Sequence, residues 1–218
     1  MLRYIYADKL RDFPRLRETM FRDRADQFQT RLGWKVQVAD NGWERDQYDD
    51  LNPLYIIWQN ADEKHGGSMR FLPTTGRTMV NEHFLSLAGG VEIRSSRIWE
   101  CTRFCLSRGA GSHIAGALMA GGSELMLNFG LTHFVGVFDA RMVRIYRLLG
   151  SSPEVVGTSG SGRDAISVGL WSYEEESRDR VLARAGLSGS VSKAWFETSF
   201  LHREAHPSFQ WPQPSDRA

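Results

Sequence analysis

Apolar and polar positions in the first quarter of the chain predict a strand, a helix and a long loop. Residues 2–7, LRYIYA, alternate as a half-buried strand does, and Asp8 stands where the N-cap of a following helix is expected. We predict that helix from Leu10 to Phe28, because apolar residues recur along one side of it. They are Leu10, Phe13, Leu16, Met20 and Phe21. The polar stretch 35–53 predicts a loop, and loops of this length in compact proteins are often functional.

The middle of the chain alternates strand-like runs with helical segments. Predicted strands lie at 54–59, 68–74, 98–106 and 133–139. The first two of them form an antiparallel pair joined by a turn-rich segment. A glycine-containing loop leads from the third strand into a predicted helix over residues 112–128, and residues 140–150 form another helix with Gly150 as its C-cap.

Residues after Gly150 predict a hairpin, one more helix and an irregular tail. VVG and AISVGLW flank the Ser/Gly-rich SGSGR at 159–163, as two strands of a hairpin do. Residues 172–186 are the last helix that we predict, and the Trp/Pro-rich tail after about residue 206 is expected to be irregular or loose. The order of elements predicts a single α/β domain over residues 1–218, with a mixed, mostly antiparallel sheet and helices on both faces.

Composition and charge exclude several classes of protein. The apolar fraction of 41% and the charged fraction of 24% are those of an ordinary globular protein. A net charge of +1 gives no general attraction to nucleic acid or to membranes, so neither is expected as a partner. No segment approaches the about 20 apolar residues that cross a bilayer, and the N-terminus has no run typical of a signal peptide. A cytoplasmic location is therefore the default expectation.

Both cysteines, Cys101 and Cys105, lie in the predicted strand at 98–106. Residues four apart in a strand share a face and lie about 13 Å apart, which is too far for a disulfide. The pair also lacks the spacing of a zinc site. We expect two reduced, half-buried thiols and no bound metal.

The same strand carries two opposite charges, Glu100 and Arg103, among apolar neighbours. A lone buried charge costs several kcal/mol, roughly, so these groups are expected to meet one another or a charged ligand. Asp46, Asp49 and Arg70 lie on or near neighbouring strands and have the same requirement. An ion-pair network that only fixes the sheet explains these charges about as well as a polar site does.

Three more residues, Arg24, Phe28 and Trp34, lie at the end of the first predicted helix and in the turn after it. Aromatic faces beside charged groups suit an adenine ring or a sulfonium cation, although core aromatics with a surface arginine are the simpler reading of these residues alone. The loop at 107–112, SRGAGS, presents backbone N–H groups before a helix, as anion sites do, but it fits neither a dinucleotide motif nor a P-loop.

Taken together, these residues resemble the signature of the acyl-homoserine-lactone synthases, which make quorum-sensing signals in bacteria. The matching pattern is Arg24-x3-Phe28-x5-Trp34, Asp46-x2-Asp49, Arg70 and Glu100-x2-Arg103. All eight positions carry the family's residue type in the family's order. The loop at 107–112 is similar to the pyrophosphate or pantetheine loop of acetyltransferases. The resemblance implies an acetyltransferase-like three-layer α/β/α sandwich.

The resemblance also implies two substrates and no cofactor. S-adenosylmethionine supplies an amine, and an acyl thioester on acyl carrier protein or coenzyme A supplies the acyl group. The amine attacks the thioester, and the methionyl carboxylate then closes the lactone and releases methylthioadenosine. Glu100 is the candidate general base and Arg103 a candidate oxyanion donor. The implied substrate-binding residues are Arg24, Phe28, Trp34, Asp46, Asp49 and Arg70.

An acyl tunnel is implied between the sheet and the helix at 112–128. The residues assigned to the acyl chain and pantetheine are Phe104, Arg108, Gly109, Leu118, Met126 and Gly136, with Met119, Phe134 and Val137 as further wall candidates. Each apolar one is equally suited to the core. Gly136 stands where members that prefer 3-oxo chains often have threonine, which argues against that preference.

Arg141, Arg144 and Arg147 lie on one helix and could contact an acidic carrier protein or the phosphates of coenzyme A, or they could form a solvated face. Two alternatives stay open at this point. One is an acetyltransferase-like N-acyltransferase that uses acyl-CoA and another amine, and the other is a non-catalytic sensor of an acyl or nucleoside ligand.

Overall fold

A computed structural model describes residues 1–201 of the 218-residue chain, so the prediction for the tail after residue 206 lies outside the described residues. Seven strands form one sheet in the order β1-β2-β3-β4-β5-β7-β6. Their bounds are β1 Leu2–Tyr6, β2 Leu54–Gln59, β3 His65–Pro73, β4 Ile98–Leu106, β5 His133–Asp139, β6 Glu154–Ser159 and β7 Ile166–Ser172. Each neighbouring pair is antiparallel except β4 and β5, which confirms the predicted mixed, mostly antiparallel sheet.

Helices cover the sheet on both faces. The α-helices are α1 Pro14–Ala25, α2 Met79–His83, α3 Ser112–Phe129, α4 Ala140–Leu149, α5 Glu175–Ala185 and α6 Gly189–Leu201. Short 3-10 turns lie at Ala7–Asp12, Leu85–Ala88 and Gly162–Asp164, and a π-helical turn, Asp26–Arg31, continues α1. Helices α3 and α6 pack on one face through a large apolar cluster, and α1 packs on the other face against β1 and β2. Within residues 1–201, no helix combines the length and the apolar character that a membrane span requires.

Two predictions about the helices were wrong. Asp8 lies in a 3-10 turn instead of capping a helix, and α1 begins at Pro14 after Phe13. Proline suits this place because its fixed φ fits the first helical turn, where its missing N–H leaves no bond unmade. The predicted last helix is also not the last, since α6 follows α5. The start of α6 was indicated in the sequence by Ser188, a typical N-cap residue, whose hydroxyl accepts the Val191 N–H at 3.3 Å.

Strand β4 contains one extra residue opposite β3. Arg70 faces Thr102, but Ser68 faces Cys105, and Arg103 between them has a φ of +54°. This β-bulge shifts the alternation of side chains by one residue, so Thr102 and Arg103 meet the same group of charges.

The bulge also separates the two cysteines. Cys101 packs on the α3 side, with its sulfur 3.8 Å from that of Met69, whereas Cys105 lies on the α1 side within the electrostatic reach of Arg24. The prediction that the cysteines share a face was therefore wrong. Both are free thiols, as predicted, and burial raises the pKa of each.

Strands β4 and β5 pair over a short distance only. Three residue pairs join them, from Ile98 with His133 to Glu100 with Val135. Beyond Glu100 the two strands no longer pair, so the sheet opens into a fork. The fork gives access to the interior between the two halves of the sheet.

Candidate active site

Three arginines and three carboxylates interlock behind the bulge, between α1, the loop at 35–53, β3 and β4. We call them the charged cluster: Arg24, Arg70, Arg103, Glu44, Asp46 and Asp49. Arg24, only 1% exposed, bonds both carboxylate oxygens of Asp49 at 2.9 Å and donates from Nε to Glu44 at 2.6 Å. This bidentate geometry is the strong form of the ion pair.

Arg70 and Arg103 complete the cluster from the sheet. Arg70 is fully buried, bonds both oxygens of Asp46, and donates to Asp49 at 2.9 Å. Arg103 donates to Glu44 at 2.9 Å and to Asp46 at 2.7 Å. Burial alone would raise the pKa of Asp49, but the charges of Arg24 and Arg70 hold that pKa well below its ordinary value. The two arginines thus keep Asp49 ionised.

We expect the free energy of unfolding to fall in acid because of this cluster. Burial would raise the pKa of Asp46, yet its bonds and proximity to Arg70 lower it, as the cluster lowers that of Asp49. A depressed folded-state pKa contributes stability above the unfolded-state pKa of about 3.9, and this contribution is lost as the pH falls.

Urea unfolding should show a loss of about 2 kcal/mol between pH 6 and pH 3 for two such aspartates. Asp46→Asn should reduce this dependence by roughly half. If the free energy of unfolding stays constant or rises as the pH is lowered from 6 to 3, the low pKa values assigned to Asp46 and Asp49 are wrong.

A pair of stacked rings adjoins the cluster. Phe28, in the π-helical turn, and Trp34 have ring centroids 5.3 Å apart and an interplanar angle of 11°. The guanidinium carbon of Arg103 lies 5.3 Å from the centre of the Phe28 ring. Phe28 is buried and Trp34 is 39% exposed, so the stack leads from the interior to the surface.

A cavity of about 570 Å³ extends from this stack into the fork between β4 and β5. Of the site residues predicted from the sequence, the lining includes Phe28, Trp34, Arg103, Phe104 and Met126. The further wall candidates Met119, Phe134 and Val137 line it too. Most of the wall is apolar. Its charged members are Arg31, Arg103, Asp139, Arg141 and Glu174, and Arg103 lies near the stack. The arrangement suits a ligand that has a charged head and an apolar tail.

The other charged residues predicted for the site do not line the cavity. Arg24, Asp46, Asp49 and Arg70 lie behind Arg103 and hold it in place. Glu44, which the sequence reasoning missed, belongs to this group. Its signal was available, because it is an acidic residue in the same polar loop as Asp46 and Asp49.

Four predicted acyl-region residues also lie elsewhere. Arg108 is exposed and pairs with Asp26 at 2.6 Å, and Gly109 forms a left-handed turn with a φ of +78°. Leu118 is fully buried in the core beneath α3. At Gly136 an added Cβ would lie 3.1 Å from the ring of Trp171, so Trp171 covers the position that a side chain would otherwise occupy.

Glu100 is buried beside the cavity and does not line it. Its carboxylate accepts the backbone N–H of Met79 at 3.1 Å and that of Val80 at 2.6 Å, at the start of α2. Burial raises the pKa of Glu100, against the lowering effect of these hydrogen bonds. Each carboxylate oxygen retains a second lone pair. Since Met79 lines the cavity, Glu100 also fixes part of its wall.

Two residues of the site carry no signal that sequence reasoning could use. Gln27 donates to the Phe104 carbonyl at 2.8 Å and accepts the Leu106 N–H at 2.9 Å. Its side-chain amide therefore provides hydrogen bonds to backbone groups of β4 that have no neighbouring strand. Tyr146, on α4, reaches the cavity beside Trp171. Within residues 1–201, no group of three or more His, Cys, Asp or Glu side chains is arranged to hold a metal ion.

Comparison with known sequences gives consistent matches. The profile of a family described as autoinducer synthase matches residues 8–181. An acyl-homoserine-lactone synthase of Rhizobium etli is 39% identical over 201 residues, which cover 89% of this chain and 93% of that protein. Another, of Pseudomonas chlororaphis, is 27% identical over 174 residues, covering 78% of this chain and 87% of that protein.

Solved structures share the fold. A CoA-dependent acyl-homoserine lactone synthase, MesI, superposes with a TM-score of 0.75 at 25% identity, over 87% of this chain and 97% of its own. BjaI, a CoA-dependent acyl-homoserine lactone synthase solved with SAM and isopentyl-CoA, gives 0.76 at 23% identity over 87% and 90%. A Lactobacillus plantarum protein described as an N-acetyltransferase gives 0.53 at 13% identity over 79% and 99%. The predicted acetyltransferase-like α/β fold is thus confirmed.

Proposed function

The chain belongs to the autoinducer synthase family, and from that membership we propose that it is an acyl-homoserine-lactone synthase. Its substrates are S-adenosylmethionine and an acyl thioester of acyl carrier protein or coenzyme A. The methionyl amine attacks the thioester carbonyl and the thiolate leaves. The methionyl carboxylate then displaces methylthioadenosine and closes the lactone. S-adenosylmethionine is consumed as a substrate, and the reaction needs no further cofactor.

The position of Arg103 in the cavity wall carries the assignment of roles. Its Nε and Nη2 bond the charged cluster, whereas Nη1 has no hydrogen-bond partner among residues 1–201. A guanidinium that is fixed on one side and open on the other can donate to a developing negative charge without reorganising. We therefore assign Arg103 to the oxyanion of the tetrahedral intermediate.

The stack of Phe28 and Trp34 offers aromatic faces to the other substrate. S-adenosylmethionine carries an adenine ring and a sulfonium cation, and both bind favourably to such faces. The buried members of the charged cluster, Arg24, Asp49 and Arg70, act on the substrates through Arg103 and through the segment that carries Phe28. Asp46, which is less buried, contributes a carboxylate next to Arg103.

The acyl chain occupies the apolar part of the cavity, against Phe104 and Met126. The thioester arm enters through the fork, where it can reach the loop at 107–112 and Arg108. Arg144 and Arg147 are exposed on α4 and offer positive charge to either an acidic carrier protein or coenzyme A. We further propose that residues 1–218 act as one catalytic domain in the cytoplasm, where both substrates are made.

A direct assay tests the proposed function. The purified chain is incubated with S-adenosylmethionine and a panel of acyl-carrier-protein and acyl-CoA donors, and the products are identified by mass spectrometry. We expect N-acyl-homoserine lactone and methylthioadenosine in equal amounts. An acylated amine without methylthioadenosine would favour the N-acyltransferase, and binding without turnover would favour a sensor. Either result would overturn the proposal.

Glu100→Gln should lower kcat/KM for lactone formation by about 100-fold, because we assign Glu100, beside the cavity, as the base that receives the proton of the attacking amine through a bound water. A base also shapes the pH profile, so the increase of rate with pH through the pKa of Glu100 should disappear in the variant.

Glu82→Gln, in the adjacent α2, is the matched control. Glu82 pairs with Arg77 and accepts the Tyr48 hydroxyl at 2.7 Å, outside the cavity wall. Glutamine keeps an oxygen that can accept these hydrogen bonds, so this variant should affect the rate by less than about twofold. If Glu100→Gln lowers the rate but keeps the wild-type pH profile, Glu100 acts only by holding Met79 and Val80.

A further inference from the structure

Tyr146 brings a hydroxyl group to the wall of the largely apolar cavity. The residue lines the cavity from α4 and is only 8% exposed. Its hydroxyl has no hydrogen-bond partner among residues 1–201, unlike the buried hydroxyls of Tyr4 and Tyr55, which bond Gly121 and Asp49. A polar group in such a place bonds water while the cavity is empty and loses that partner when an apolar chain fills the space.

The ring of Tyr146 is held firmly, so the hydroxyl has a defined position. Its ring centroid is 5.0 Å from that of Trp171 and 5.5 Å from that of Phe138, both in edge-on contact. Trp171 is fixed in turn by a hydrogen bond from its indole to the Ser151 carbonyl at 3.2 Å. Gly136 makes room for this arrangement, since any side chain there would meet the Trp171 ring.

The ring of Tyr146 contacts Trp171, which covers Gly136 of β5. The Cβ position of Gly136 lies 3.0 Å from the Cys101 carbonyl, so Tyr146 is on the side of the cavity where the fork begins. Burial raises the pKa of Tyr146, and the nearby Cys101 and Asp139 raise it further. The phenol therefore stays neutral and keeps its proton for donation. Cys101 is two residues along β4 from Arg103, so a group that meets Tyr146 lies near the reacting thioester rather than at the far end of the acyl chain.

Resting on the proposed function, we infer that Tyr146 is a specificity-determining residue that donates a hydrogen bond to an oxygen on the acyl chain close to the thioester. The preferred donors are then 3-hydroxyacyl or 3-oxoacyl thioesters. The absence of a hydroxyl at Gly136 argued against 3-oxo chains, but α4 supplies a donor in place of the missing one. Unsubstituted chains leave the phenol without a partner and bind less well.

Three donors of equal chain length test the inference: the unsubstituted, the 3-hydroxy and the 3-oxo thioester. Wild type should use one or both oxygenated donors with a kcat/KM about tenfold higher than the unsubstituted donor. Tyr146→Phe removes only the oxygen and retains the ring contacts, and it should bring this ratio close to one. Tyr4→Phe, which also removes a buried phenol but lies outside the cavity wall, should keep the wild-type ratio.

Calorimetry also measures the dissociation constant of each donor for wild type and for both variants. The ratios of these constants should change in the same way, so the inference is decided even for donors that give no lactone. A wild type that does not favour oxygenated donors would overturn it. So would a preference that survives in Tyr146→Phe, or an equal loss with all three donors, which would place the hydroxyl at the thioester itself. If no donor yields lactone, the proposed function fails separately.

Discussion

Replacing Asp49 by asparagine should destabilise the protein by about 3–5 kcal/mol, a large part of the stability of an ordinary domain. The carboxylate accepts both Nη groups of Arg24, one Nη of Arg70 and the Tyr55 hydroxyl, all within 2.9 Å. Asparagine has nearly the same shape but carries no charge and turns an N–H₂ group toward one of these donors. The buried positive charges of Arg24 and Arg70 would then be only partly neutralised.

The adjacent residue provides the control. Asp50 makes one surface ion pair with Arg45, and its side chain is 73% exposed, so Asp50→Asn should change the free energy of unfolding by less than about 1 kcal/mol. Urea unfolding followed by circular dichroism measures both variants. Equal effects of the two substitutions would mean that the charged cluster does not stabilise the fold.

Arg103→Gly should lower kcat/KM for lactone formation by about 100- to 1000-fold, the range found when an oxyanion donor is removed. Glycine is the appropriate replacement because Arg103 has a φ of +54°, a conformation that glycine adopts without strain. The fold should survive, since Glu44 keeps Arg24 as a partner and Asp46 keeps Arg70. Loss of activity would then report the loss of the guanidinium rather than of the fold.

Arg97→Gly makes the same chemical change in the turn immediately before β4, where the arginine is exposed and donates to the Gly130 carbonyl. This control should retain activity within about twofold, as is usual for surface substitutions. Circular dichroism and the unfolding midpoint establish that both variants are folded. An Arg103→Gly protein that is folded and fully active would exclude the oxyanion role.

Much of the fold follows from local patterns that the sequence displays. Alternation of apolar residues located all seven strands, with β5 predicted at its observed limits. Other features depend on contacts between distant segments, which local patterns do not encode. The strand β3 begins at His65 rather than 68, and Gly66 and Gly67 in this added part lie where the side chains of Trp58 and Leu106 leave no space for a Cβ atom.

The candidate site, too, could be predicted from the sequence only in part. The spacing of charged and aromatic residues identified the members of the charged cluster except Glu44. It could not separate Arg103, which faces the cavity, from Arg70, which is enclosed, because a single extra residue in β4 decides the difference. Tyr146 and Trp171 went unnoticed, since each is an ordinary aromatic until α4 and β7 are brought together.

The fork between β4 and β5 makes the width of the cavity independent of the sheet's hydrogen bonds. Beyond Glu100 no ladder bonds join the two strands, so a wider or narrower substrate requires none to break. The dimensions of the cavity depend instead on side chains such as Trp171 and Met126, which can be exchanged one at a time. A protein built this way can acquire a different signal molecule by point mutation while its scaffold and its reaction chemistry stay the same, and neighbouring bacterial lineages can thereby diverge in the message they send.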